Sequence, residues 1–89
     1  MRLVSQTLDA NAEALGPFEV EEIRSVGFTV SITGTITVTL QRSMDGTTFV
    51  DVEPGYTSSV TKNVDGPGFY RLIASGVSGG SAICSLLVG

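Results

Sequence analysis

From Val26 onward the chain alternates. In "VGFTVSI", Val26, Phe28, Val30 and Ile32 fall on one side and Gly27, Thr29 and Ser31 on the other. In "TITVTL", Ile36, Val38 and Leu40 alternate with Thr35, Thr37 and Thr39. A repeat of two is the mark of a strand with one buried and one wet face. A helix is a poor fit, because β-branched residues at every second position lay down no apolar stripe at 3.6 spacing. The pattern predicts an all-β chain.

Turn signals divide that pattern. Thr33-Gly34 predicts a hairpin turn, with glycine supplying the positive φ. Asp45-Gly46, inside Met44-Asp45-Gly46-Thr47, predicts the bend of a second hairpin, braced by the Ser43 and Thr47 hydroxyls. Glu53-Pro54-Gly55 and Asp65-Gly66-Pro67-Gly68 give two more turns. "YTSSVTKNV" reads as a polar edge strand. "FYRLIAS" and "AICSLLV" read as the two most buried strands, separated by a loop from Gly76 to Ser81. About seven or eight short strands with turn signals between them predict a small antiparallel β-sandwich, Ig-like or jelly-roll-like, or a small barrel.

The first quarter is patterned more weakly. Residues 2–8 fit a strand with Leu3, Ser5 and Thr7 on one side and Val4, Gln6 and Leu8 on the other. "DANAEALGP" reads as a loop, and "FEVEEIRS" as the strand that follows. Residues 1–17 are therefore expected to be either an arm that contacts a partner or the first strand of the sandwich formed by residues 18–89.

At 89 residues the chain is one small domain, expected to gain from neighbours that cover its faces or edges. With 42% hydrophobic and 16% charged residues it is not a disordered composition. The net charge is −4, and the bases Arg2, Arg24, Arg42, Lys62 and Arg71 form no cluster. Nucleic acid and anionic membrane surfaces, which are gripped by clustered positive charge, are not expected partners. Cys84 is the single cysteine, so no internal disulfide can form and an intracellular assembly site is the expectation. "MRLVSQTLDANAEALG" has no apolar run of signal-peptide length, and the chain is expected to be soluble.

The residues offer little reaction chemistry. With no histidine, the commonest general base and zinc ligand are missing. Cys84 lies in an apolar strand and reads as a small buried hydrophobe. Glu19 and Glu21 share a strand face that reads as solvated. Asp45, Asp51, Glu53 and Asp65 stand at or near turns, but the spacing matches no calcium loop. "GVSGG" lacks the lysine and helix of a phosphate loop. The ladder Thr35, Thr37 and Thr39 resembles one row of an ice-binding face, although threonine is also a good strand former. Tyr56, Phe69 and Tyr70 could form a sugar-stacking platform, or belong to the core. No catalytic, metal or cofactor-binding residue is assigned, and the chain is not expected to be an enzyme.

"VTLQRSMDGTTFVDV", with "YTSSVTKNVDGPGFYRLIASGVSGGSAICSLLV" after it, resembles small β-sandwich virion proteins of tailed bacteriophages. The resemblance runs over residues 26–88. It rests on Leu40, Gln41, Arg42 and Ser43, the turn Asp45, Gly46, Thr47 and Thr48, then Phe49, Asp51 and Val52, and later Tyr70, Arg71 and Leu72. "SMDGTTF" also looks like the Asp-box hairpin of sialidases, one residue short and with Phe49 where that motif has tryptophan.

The phage resemblance implies a structural component of a virion, assembled in the host cytoplasm: a capsid decoration protein, or a head- or tail-associated subunit. Its implied partners are the major capsid protein or other virion proteins, in a homo-oligomer or repeated lattice, with no cofactor. A carbohydrate- or surface-binding module of a head fibre or receptor-recognition apparatus is the alternative.

Overall fold

The computed structural model of the chain describes residues 2–20 and 25–88, and over these it is all-β and antiparallel. The strands are β1 (Arg2–Leu8), β2 (Ala14–Val20), β3 (Ser25–Ser43), β4 (Val50–Asp51), β5 (Val60–Asp65) and β6 (Gly68–Val88). Two of them dominate. β3 and β6 pair along their whole length, from Val26 opposite Val88 to Ser43 opposite Phe69.

The short strands flank this pair at its two ends. β1 pairs with β6 from Arg2–Val88 to Leu8–Ala82, while β2 pairs with β6 from Ala14–Ile73 to Val20–Gly68. β5 lies beside the first half of β3, and β4 beside its second half. One sheet therefore runs β1-β6-β3-β5 and the other β2-β6-β3-β4, with the long strands crossing from one to the other. This is the strand order of a jelly roll.

The crossing is made where expectation placed turns. Gly34 has φ +77°, and the ladder slips there, with Thr35 opposite both Gly79 and Ser78. A bulge of this kind bends a strand and sharpens its twist without ending it. Thr33-Gly34 is thus a bend within β3 and not a hairpin turn. Gly76 to Ser81 likewise lies within β6 and is not a loop. These two continuous strands account for the finding of six elements where seven or eight short ones are expected.

The inner faces of both sheets meet in one core. Val26, Phe28, Val30, Ala82, Cys84, Leu86 and Leu8 come from the first sheet; Ile36, Val38, Leu40, Tyr70, Leu72, Ala74, Leu15 and Val20 come from the second. The alternation of the sequence is therefore the alternation of burial, and packing of these side chains holds the bent ribbon closed.

Within residues 1–17, Arg2–Leu8 lies in the first sheet and Leu8 is fully buried. The expected division at residue 17 falls inside β2, which begins at Ala14. The Glu13 carboxylate accepts hydrogen bonds from the amides of Asp9 and Ala10, both at 2.9 Å, and closes the β1–β2 turn. Of the strand expected at "FEVEEIRS", Glu21 to Arg24 lie outside the described residues.

Candidate contact surfaces

The Asp45 turn connects β3 to β4. Ser43 ends β3 with its side chain buried, and its hydroxyl donates to the Asp45 carboxylate at 2.7 Å while accepting from the Gly46 amide at 2.9 Å. Asp45 in turn accepts from the Thr47 and Thr48 amides, each at 2.8 Å. The amides of Thr48 and Thr47, then the Ser43 hydroxyl, hold the Asp45 carboxyl down to about 2. This carboxylate is used up in closing its own loop. Thr47 contributes its amide to the brace, where its hydroxyl was expected.

On the outer face of the second sheet, Asp51 accepts from Gln41 at 2.8 Å, and Gln41 accepts from Arg71 Nε at 2.7 Å. The Arg71 guanidinium stacks 4.1 Å from the Phe49 ring centre. Glu53, Tyr56 and Lys62 form another cluster. Lys62 Nζ lies 3.0 Å from both Glu53 oxygens, and the Tyr56 hydroxyl donates to Glu53. The Tyr56 hydroxyl and the Lys62 ammonium lower the Glu53 carboxyl, while burial and the Glu53 charge raise the Tyr56 phenol. Backbone bonds between Tyr56 and Val38 pin this segment to β3.

The residues weighed for chemistry are thereby dispersed. Asp45, Asp51 and Glu53 each serve a separate local network, and the Asp65 carbonyl accepts from the Tyr70 hydroxyl. Among the described residues no three of His, Cys, Asp and Glu are grouped to hold a metal ion. Glu19 is exposed opposite Phe69; its expected companion Glu21 lies outside the described residues. Tyr70 is a core residue, which removes it from any stacking platform. Thr37 and Thr39 are half-buried, with Gly55 close against both, so the threonine ladder is not an open face. Cys84 is fully buried, and burial pushes its thiol up to about 11.

Among the described residues, exposed aliphatic side chains group on two surfaces. The first is the outer face of the β1-β6-β3-β5 sheet. Its rows run Leu3, Leu87, Gly27, Asn63; then Ser5, Ser85, Thr29, Thr61; then Thr7, Ile83, Ser31. None of these residues is charged, and Leu3, Ile83 and Leu87 are between 38% and 65% exposed. Ser5 and Ser85 hydroxyls pair at 2.8 Å. The second surface adjoins β4 in the other sheet, where Met44, Val50 and Val52 are between 43% and 70% exposed beside Arg42. Ile83 and Leu87 are exposed although "AICSLLV" is expected among the most buried strands, and the register groups the exposed aliphatics by setting Leu3 beside Leu87 and Val50 beside Arg42.

No family model and no curated protein matches the chain. Among solved structures, a chain described under "Bacillus endospore appendages form a novel family of disulfide-linked pili" aligns with a TM-score of 0.62 at 19% identity. The alignment covers 96% of this chain and 81% of that one. Another, described as "CBM4 structure and function", aligns with a TM-score of 0.49 at 16% identity, covering 98% of this chain and 84% of that one. The appendage likeness is one of fold, and it agrees with the sandwich described above.

Proposed function

We propose that the chain is a non-enzymatic structural subunit that works by contact, covering or joining neighbours in a repetitive protein assembly. The observation that carries this reading is the two separate groups of exposed aliphatic side chains, Leu3, Ile83 and Leu87 on the first sheet and Met44, Val50 and Val52 beside β4, in a chain of 89 residues. Two such surfaces let one copy touch more than one neighbour. The carboxylates Asp45, Asp51 and Glu53 are committed to local networks, which suits adhesion better than turnover.

The finer setting is a virion. The stretch "QRSMDGTTFVDV" supports it, as part of residues 26–88, which resemble phage structural proteins, and a capsid lattice is the assembly in which small decoration subunits act. Contacts there stabilise at roughly 25 cal/mol per Å2 of apolar surface before ordering costs, and repetition over the lattice makes weak contacts effective. The appendage chain of similar fold is described as belonging to disulfide-linked pili. Cys84 is fully buried, so a covalent linkage of that kind does not carry over to this chain.

The test is to isolate large assemblies from the producing cells by sedimentation and to count copies of the chain in them. Many copies per particle are expected. A chain left in the soluble fraction that binds a defined glycan or calcium would overturn this reading in favour of a binding module.

A further inference from the structure

Residues 9–13 carry the chain from β1 in one sheet to β2 in the other, and this short turn is strained. Ala12 sits at φ +69°, a left-handed conformation that costs a residue with a Cβ about fivefold or more in population. The turn also holds two acids together, where the Glu13 carboxylate, by hydrogen bond and by charge, raises the Asp9 carboxyl.

β1 itself is lightly held. It ends its sheet with β6 on one side, and among the described residues no backbone group of Leu3 to Thr7 has a partner on the other. Leu8 is fully buried and Val4 half-buried, while Leu3, Ser5, Gln6 and Thr7 are exposed. No charge, proline or bulge interrupts Leu3 to Leu8, although these are the devices that keep an edge strand from meeting other chains.

We propose that β1 is exchanged between copies: it leaves its own β6 and lies on Ala82–Val88 of a second copy, which returns its β1 in the same way. The register already present fixes the occupant of the vacated edge. The ladder from Leu3–Leu87 to Leu8–Ala82 and the Ser5–Ser85 hydroxyl bond at 2.8 Å are met by the same sequence whichever chain brings it. Every β1–β6 contact of the closed chain is regained, so no new area has to be buried. What differs is the turn, relieved of its positive φ when it extends, and the entropy of joining two copies. Extended, residues 9–13 reach about 17 Å, more than the roughly 10 Å between packed sheets, so β1 clears its own core. The two expectations for residues 1–17, partner arm and first strand, become two states of one segment. The proposal goes beyond the structural-subunit reading and does not depend on it.

Three chains test it, carrying Ser5→Cys, Ser85→Cys or Thr61→Cys, each with Cys84→Ala and each checked for folding by circular dichroism. The Ser5→Cys chain is mixed with either of the others, unfolded and refolded together with it at about 1 mM, and oxidised. Thr61 lies in the same outward row as Ser5, three strands away at about 14 Å, beyond disulfide reach. A disulfide between chains is expected from position 5 to position 85 and not from position 5 to position 61; random collision would give both. Ala12→Gly and Ala12→Val, with Cys84 kept, are followed by sedimentation equilibrium beside wild type. Glycine adopts positive φ freely and should raise the dimer dissociation constant about fivefold or more, whereas β-branched valine should lower it by a similar factor. Chains that stay monomeric, the two disulfides formed in equal amount, or a dissociation constant indifferent to the residue at position 12 overturns the proposal. None of these touches the structural-subunit reading, which stands or falls on copies in large assemblies.

Discussion

The Tyr70 hydroxyl donates a 2.7 Å hydrogen bond to the carbonyl of Asp65, five residues back along the chain. Asp65 ends β5 and Tyr70 lies near the start of β6, so this bond spans the turn that passes the chain between the two sheets. Arg42 grips the same turn from β3, donating from Nε to the Pro67 carbonyl at 3.1 Å. The ring of Tyr70 is meanwhile buried in the core. One residue thus ties the core to the corner that gives the fold its shape.

Tyr70→Phe keeps the ring and deletes the bond. It is expected to cost about 1 kcal/mol, read as a lower urea midpoint with an unchanged slope. An unchanged midpoint would mean that the turn is held by Arg42 and the backbone alone.

The Asp45 turn predicts an acid dependence. Its carboxyl sits at about 2 in the folded chain, below its ordinary value of about 3.9. The stabilisation is fully present above the ordinary value and is lost as pH falls through about 2. Asp45→Asn should therefore be less stable than wild type at pH 5, with the gap closing as pH falls toward 2. A gap independent of pH would show that the charge is not what the amides hold. Ser43→Ala removes a buried hydroxyl and leaves the Gly46 amide without its acceptor, at a cost of about 1–3 kcal/mol.

The strand bend predicts an ordering among glycines. A Cβ at Gly80 would lie 2.3 Å from the Thr35 carbonyl oxygen, a backbone atom that cannot swing aside. At Gly46, with φ +80°, the added carbon meets the edge of the Phe69 ring at 3.2 Å. Gly46→Ala is expected to cost about 1 kcal/mol or more, and Gly80→Ala about 3 kcal/mol or more. Equal losses by thermal or urea unfolding would contradict the close approach at the bend.

Cys84 is expected to be silent toward thiol reagents in the native chain and to react fully once guanidinium unfolds it. The reasons are its complete burial and a thiol held up at about 11. Rapid native labelling would mean that the β6 half of the core opens readily.

The alternation in residues 26–40 made one face of β3 legible as core, whereas "AICSLLV", expected among the most buried strands, buries Cys84 and Leu86 and leaves Ile83 and Leu87 exposed. What was not legible was where strands end. Gly34 supplies a positive φ whether the chain reverses or only bends, and the choice is made by Thr35 meeting Gly79, residues far apart in sequence. Glu13 shows the same limit at short range. Its carboxylate closes the β1–β2 turn by accepting from the Asp9 and Ala10 amides, and nothing in the spacing of "DANAEALGP" singles it out. The contact surfaces were hidden for the same reason: Leu3, Ile83 and Leu87 become one patch only when β1 is registered on β6.

Retention on native assemblies tests the central claim most directly. Wild-type chain, Ile83→Lys, Val50→Lys and the double variant would be added to assemblies stripped of the chain, and the bound fraction measured by sedimentation. Substitutions on the two open surfaces should each reduce binding, and the double variant should abolish it while remaining folded. Binding of the folded double variant at the wild-type level would contradict the account.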